Sequence, residues 1–189
     1  MGVPTIKTEP MTMEEFYAFT DTRPDEEKWE LIDGEPILHA SPSRPHQRIL
    51  KNLVVGIAAF EQHAAWEVLP GLGVRISDRS RPEPDVLILP KNASSDLLER
   101  DRNDVIVAFE ILSPSTRDRD LRWKRTAYTR LASLTHYIVI AQDAVDIVVF
   151  ARDAGFAERH FRSLDEPLEL PALGISLPLA EIYCDTGLS

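Results

Sequence analysis

Apolar residues recur along this chain at two periods, and their order predicts a mixed α/β architecture. Thr12-Met13-Glu14-Glu15 has the form of a capping box and predicts a short helix to about Phe19. Residues 21–28 are polar and read as a loop. Asp33-Gly34 stands between Trp29-Glu30-Leu31-Ile32 and Glu35-Pro36-Ile37-Leu38. An Asp-Gly pair between two short runs is a strong hairpin signal, because both turn residues must accept positive φ. After Ser41-Pro42-Ser43-Arg44-Pro45, the residues Ile49, Leu50, Leu53, Val54, Ile57 and Phe60 recur at three and four, the stripe of a long amphipathic helix.

Short strands are predicted at 66–69, 73–76 and 85–89, and a polar linker over 91–103. Residues 105–112 are almost continuously apolar, as expected of a central strand covered on both faces. Ser113-Pro114-Ser115-Thr116 ends that run, and a second amphipathic helix is predicted over about 117–132. Strands follow at 137–141, 145–151 and 156–161, then a Pro- and Leu-rich segment with weak extended signals and a short terminal helix. With no repeat or composition break, one domain is expected over 1–189, with a helix and loop over 1–28 and a core over 29–185. The fold class is α/β, a mixed central sheet flanked by helices.

Composition narrows the chemistry. No apolar run approaches the roughly 18–20 residues that span a bilayer. The first ten residues lack the basic start and apolar stretch of a secretory signal, so a cytoplasmic location without membrane association is expected. Cys184 is the only cysteine, which excludes an intramolecular disulfide and a thiolate zinc site. The histidines show no HExxH spacing, so a bound metal would draw on carboxylates, which favour Mg²⁺, Mn²⁺ or Ca²⁺. The net charge of −10 counts against a nucleic-acid partner. It is uneven, however: residues 1–41 hold ten acidic and three basic residues, whereas 117–130 hold six basic and two acidic. Such a helix can meet phosphate or be merely solvated.

Glu110 is the sharpest anomaly. Alternation along 105–112 sends Val105, Val107, Phe109 and Ile111 one way, and Ile106, Ala108, Glu110 and Leu112 the other. A carboxylate in such a strand must be paired, protonated or metal-bound, and a buried salt bridge is the plainer reading. Asp85 opens the short strand before it; alone, an Asp after Pro is usually a turn former. Two carboxylates on separate strands of one sheet can also converge on a divalent cation suited to cleaving phosphate esters. Asp120, Lys124 and Tyr128, spaced by four, share one helix face. A lysine there is either exposed or reaches the carboxylates, where it orients a water and offsets charge on a phosphate.

These residues resemble a known family. Asp85 in RPEPDVLILP, Glu110 in VAFEILSPSTRDRDLRWKRTAY, the HYIVI segment, WELIDGEPI with a downstream His46, and the closing LPALGISLPLAEIY are similar to the Uma-type branch of the PD-(D/E)XK restriction-endonuclease-like superfamily. The resemblance spans nearly all of the chain from Trp29 onward. It implies a restriction-endonuclease-like fold and an Mg²⁺- or Mn²⁺-dependent endonuclease acting on nucleic acid, DNA first. Asp85, Glu110 and the carbonyl of Ile111 would be metal ligands. The superfamily's lysine would stand two residues after the glutamate, where this chain has Leu112; the resemblance implies that Lys124 has taken that role. Glu30 and His46 become supporting residues beside Tyr128, and Arg117, Arg119, Arg122 and Arg125 are candidate phosphate contacts. A homodimer is one expectation for a nuclease fold acting on duplexes. Two rivals stand beside this reading: a nuclease-fold module that binds nucleic acid or a protein without cutting, and a two-carboxylate glycoside hydrolase, which has no need of Lys124.

Overall fold

The computed structural model describes residues 9–91, 99–113, 117 and 119–188. Much of the expected 91–103 linker, the 114–116 break and Asp118 therefore lie outside the described residues. Helix α1, Met13–Thr20, opens on the expected capping box: Thr12 Oγ1 accepts from the Glu15 N–H at 3.3 Å, and Glu15 Oε2 accepts from the Thr12 N–H at 2.7 Å. Strands β1 (Trp29–Ile32) and β2 (Glu35–Leu38) form the Asp-Gly hairpin, with Asp33 at φ 50° and Gly34 at φ 86°. Gly34 is required twice over, because a Cβ there would stand 2.3 Å from Pro10 Cβ.

Helix α2, Arg44–Ala58, is capped by Ser43, whose side chain accepts from the His46 N–H. It buries Ile49, Leu53 and Ile57. Phe60, expected on the same stripe, lies beyond the helix end and is 36% exposed.

The centre is a six-stranded sheet. Strands β3 (Trp66–Pro70), β5 (Val86–Pro90), β7 (Val107–Leu112), β8 (His136–Ala141), β9 (Ile147–Ala151) and β10 (Glu158–Phe161) lie in the order β10-β9-β8-β7-β5-β3. Within this sheet only β7 and β8 pair in parallel, so the chain between them must cross over one face of the sheet. Two short strands, β4 (Gly73–Val74) and β6 (Asp101–Arg102), pair apart from it. Strands β11 (Pro167–Leu170) and β12 (Ile175–Pro178) form a hairpin leading into α4, Leu179–Ile182.

Alternation along β7 then separates two cores. Val107, Phe109 and Ile111 pack with Ile49, Leu53 and Ile57 of α2 and with Leu177 and Ile182. Ala108 and Leu112 face the opposite side with Tyr128, Leu131, Leu134 and Tyr137. Val105 belongs to that second core and Ile106 packs against the first, the reverse of the sequence parity. The reason is that strand geometry begins only at Val107.

The crossover helix also departs from expectation. Arg119–Lys124 is a π-helix, continued by the α-helical α3, Arg125–Tyr128. It stops short of residue 132 because Leu131 and Leu134 turn inward to the core before β8 begins. Tyr137 donates its hydroxyl to the Asp120 carbonyl at 2.8 Å, tying the widened turn to the sheet. Among the described residues, no helix is long and apolar enough to cross a membrane.

Candidate active site

Strand pairing brings the two anomalous carboxylates together. The antiparallel register Val86↔Phe109 sets Asp85, just before β5, beside Glu110 of β7. Asp85 Oδ2 accepts from the Ile111 N–H at 2.8 Å and lies 3.3 Å from His46 Nε2, while Oδ1 is 3.5 Å from Lys28 Nζ. Both carboxylates line a cleft of about 490 Å³, with Asp120, His46, Ile111 and Lys28 also in its wall.

Lys124 lies beneath that cleft. Its ammonium is 2.8 Å from Glu110 Oε1, 2.8 Å from Glu30 Oε1 and 3.4 Å from Asp120 Oδ1, with the side chain 1% exposed. Tyr128 donates its hydroxyl to Glu110 Oε1 at 3.1 Å. Glu30 is fully buried: Oε1 also accepts from the Glu83 N–H at 2.7 Å, and Oε2 lies 2.6 Å from His39 Nε2. The π-helix sets Asp120 and Lys124 over the sheet, and the hairpin swings Glu30 against them. Three carboxylates thus surround the Lys124 ammonium, with His39 on Glu30 and His46 on the neighbouring Asp85.

Charge balance follows from that packing. Burial drives the Glu110 carboxyl well above its ordinary range; Lys124 opposes this, and Asp120, Asp85 and Glu30 add to it. Burial would lower Lys124, but Glu110, Glu30 and Asp120 hold it well above the usual lysine value. Burial also raises Glu30, yet the charge of Lys124 and the His39 contact bring it below the carboxylate range. Asp85 is likewise penalised by burial, but His46, Lys28 and the Ile111 N–H pull it down to about 2. Tyr128 is pushed well above its ordinary value by burial and by Glu110.

Residues 13–180 match the family described as "Uma2: Putative restriction endonuclease". The chain belongs to the Uma2 family. The crystal structure of a "putative nuclease belonging to DUF820" from Anabaena variabilis is similar to this one with a TM-score of 0.75, covering 92% of this chain and 98% of that one. At 17% identity the likeness shows a shared fold, and the mixed α/β sheet is the nuclease-type architecture expected from the sequence. No curated protein matches the chain.

In this Uma2 chain, Asp85, Glu110, Ile111, Lys124, Tyr128, Glu30 and His46 all gather at one site. The arginines diverge. Arg119 Nη2 stands 3.9 Å from Glu30 Oε2, and Arg117 and Arg122 are exposed. Arg125 donates to the Phe156 carbonyl at 2.8 Å and lies over the Phe150 ring, so its guanidinium is taken up in packing rather than offered to phosphate. Sequence reasoning singled out no role for Lys28 and His39. His39 is the cross-strand diagonal neighbour of Glu30, since Glu30 opposes Ile37, and that register was the available signal. Asp120 stood on the spaced face with Lys124 but was not assigned to the site.

The donor set suits a hard cation. Asp120 Oδ1 is buried with no hydrogen bond, its charge met by the Lys124 ammonium at 3.4 Å, and Asp85 and Glu110 open to the same cleft. Among the described residues, no three carboxylate, histidine or cysteine side chains form a ready-made metal cluster. An ion would therefore take its other ligands from backbone carbonyl, water or phosphate, as Mg²⁺ commonly does.

Proposed function

We propose that this Uma2 chain is a divalent-metal-dependent endonuclease hydrolysing phosphodiester bonds of nucleic acid, DNA first. The observation that carries this reading is the pairing of Asp85 and Glu110 in one cleft above the Lys124 ammonium. Family membership and the nuclease title of the Anabaena protein support it.

Asp85 and Glu110, with the Ile111 carbonyl, would hold Mg²⁺ or Mn²⁺. When bound, such an ion supplies Lewis-acid stabilisation of phosphate charge and a more acidic water. The chain's own residues do the rest. The Ile111 N–H and His46 fix the Asp85 carboxylate. Lys124 and Tyr128 fix Glu110, so its oxygens need no rearrangement as the reaction proceeds. Lys124, enclosed below the cleft, acts through Glu110: it positions that carboxylate and offsets local negative charge. Hydrolysis joins a water oxygen to phosphorus, breaks the bond to the departing sugar oxygen, and returns a proton to that oxygen. Arg117 and Arg122, both exposed, would be the contacts to flanking phosphates.

One observation favours a non-catalytic module instead. Among the described residues lining the cleft, Glu26, Glu83, Asp85, Glu110 and Asp120 face a single lysine, Lys28. Such a lining repels phosphate unless a cation intervenes. The two readings separate in a cleavage assay on plasmid and single-stranded DNA, with Mn²⁺ or EDTA. Cleavage should require Mn²⁺ and be lost in Asp85→Asn. No cleavage by the unaltered protein favours the module, and undiminished cleavage by the variant overturns the site.

A further inference from the structure

The site holds two lysines in different circumstances. Lys124 is gripped by three carboxylates at 2.8, 2.8 and 3.4 Å with its side chain 1% exposed, and it does not line the cleft. Freeing it for a substrate would strand Glu30, which is fully buried. Among the described residues Lys28 has one ion pair, a loose 3.5 Å contact to Asp85 Oδ1, and its side chain is 31% exposed. It lines the main cleft and also an adjoining hollow of about 280 Å³ that contains Arg81 and Arg100.

Its placement is built into the hairpin. The His39 N–H donates to the Lys28 carbonyl at 2.9 Å, continuing the β1–β2 ladder past Trp29↔Leu38. Lys28 therefore falls two residues before Glu30, on the same side of the strand. A cation on Asp85 would take over the charge that Lys28 now offsets, releasing the ammonium to a neighbouring anion.

We propose that Lys28 is the lysine that touches the substrate, its ammonium meeting a non-bridging oxygen of the scissile phosphate beside Asp85, while Lys124 only positions Glu110. This rests on the phosphodiesterase reading above. Lys28 is then a catalytic residue, stabilising charge that grows on the phosphate as water adds.

The test uses the full chain with Mn²⁺ and a single-stranded oligonucleotide. Lys28→Ala should keep the fold by circular dichroism, yet cut about 10²–10³-fold more slowly in single turnover. Lys28→Arg should recover part of that loss by keeping the charge. In a Glu110→Gln background, expected to cut poorly and held at Mn²⁺ high enough to fill its weakened site, Lys28→Ala should flatten the slope of log affinity against log salt by about 0.7–1, the loss of one phosphate contact. An unchanged rate in a protein that does cleave, or an unchanged slope in the Glu110→Gln background, overturns the assignment of Lys28 alone. If the unaltered protein neither cleaves nor binds, the phosphodiesterase reading falls and this inference falls with it.

Discussion

The ammonium of Lys124 and the carboxylate of Glu30 form a buried ion pair, Nζ to Oε1 2.8 Å, with neither side chain more than 1% exposed. Removing one member of such a pair leaves the other charged and desolvated, which typically costs about 3–5 kcal/mol. Lys124→Met should lose that much stability near neutral pH in urea unfolding. A loss below about 1 kcal/mol would mean that the pair is less insulated from water than its burial indicates.

Glu110→Gln should behave differently. Lys124 keeps Glu30 at 2.8 Å and Asp120 at 3.4 Å, so no cation is stranded, and an amide oxygen can still accept from Tyr128. The fold raises the Glu110 carboxyl pKa, so its proton is retained at a cost that grows as pH climbs above the unfolded value. In chelator, the variant should lie within about 1 kcal/mol of the unaltered protein near pH 5 and gain on it progressively as pH rises above that. Denaturant titration at several pH values checks this; a loss of several kcal/mol would make Glu110 an indispensable structural partner of Lys124.

Asp85 has the opposite sign. Its pKa falls from 3.8 to about 2, so its stabilisation is fully present above the unfolded value and is lost as pH drops through about 2. That depression corresponds to about 2 kcal/mol. In chelator, Asp85→Asn should be less stable by about this amount near pH 6, with the gap closing towards pH 2. A gap that stays constant across acid unfolding curves would assign the loss to packing rather than to the ionised carboxylate.

How much of this was legible in the sequence depended on whether the signal was local. The capping box at Thr12 and the Asp33-Gly34 turn are written in adjacent residues and stand as read. Glu110 was conspicuous because a carboxylate interrupts an apolar strand, and the spacing of Asp120, Lys124 and Tyr128 placed them on one face. The π-helical geometry of that face has no simple residue period and was not visible. Nor could sequence alone tell that Arg125 packs over Phe150, because that contact depends on the docking of β9. Lys28 and His39 escaped assignment for the same reason: each looks like an ordinary polar residue until the hairpin folds back against Glu30 and Asp85.

Asp85 and Glu110 are proposed to hold one divalent cation, and a calorimetric Mn²⁺ titration measures its binding directly. The unaltered protein should give one saturable binding event, absent in Asp85→Asn and greatly weakened in Glu110→Gln, with both variants folded by circular dichroism. Saturation should also raise the melting temperature of the unaltered protein alone, since a ligand at one hundred times its Kd adds about 2.7 kcal/mol. Equal heats from all three proteins, or none from any, would contradict it.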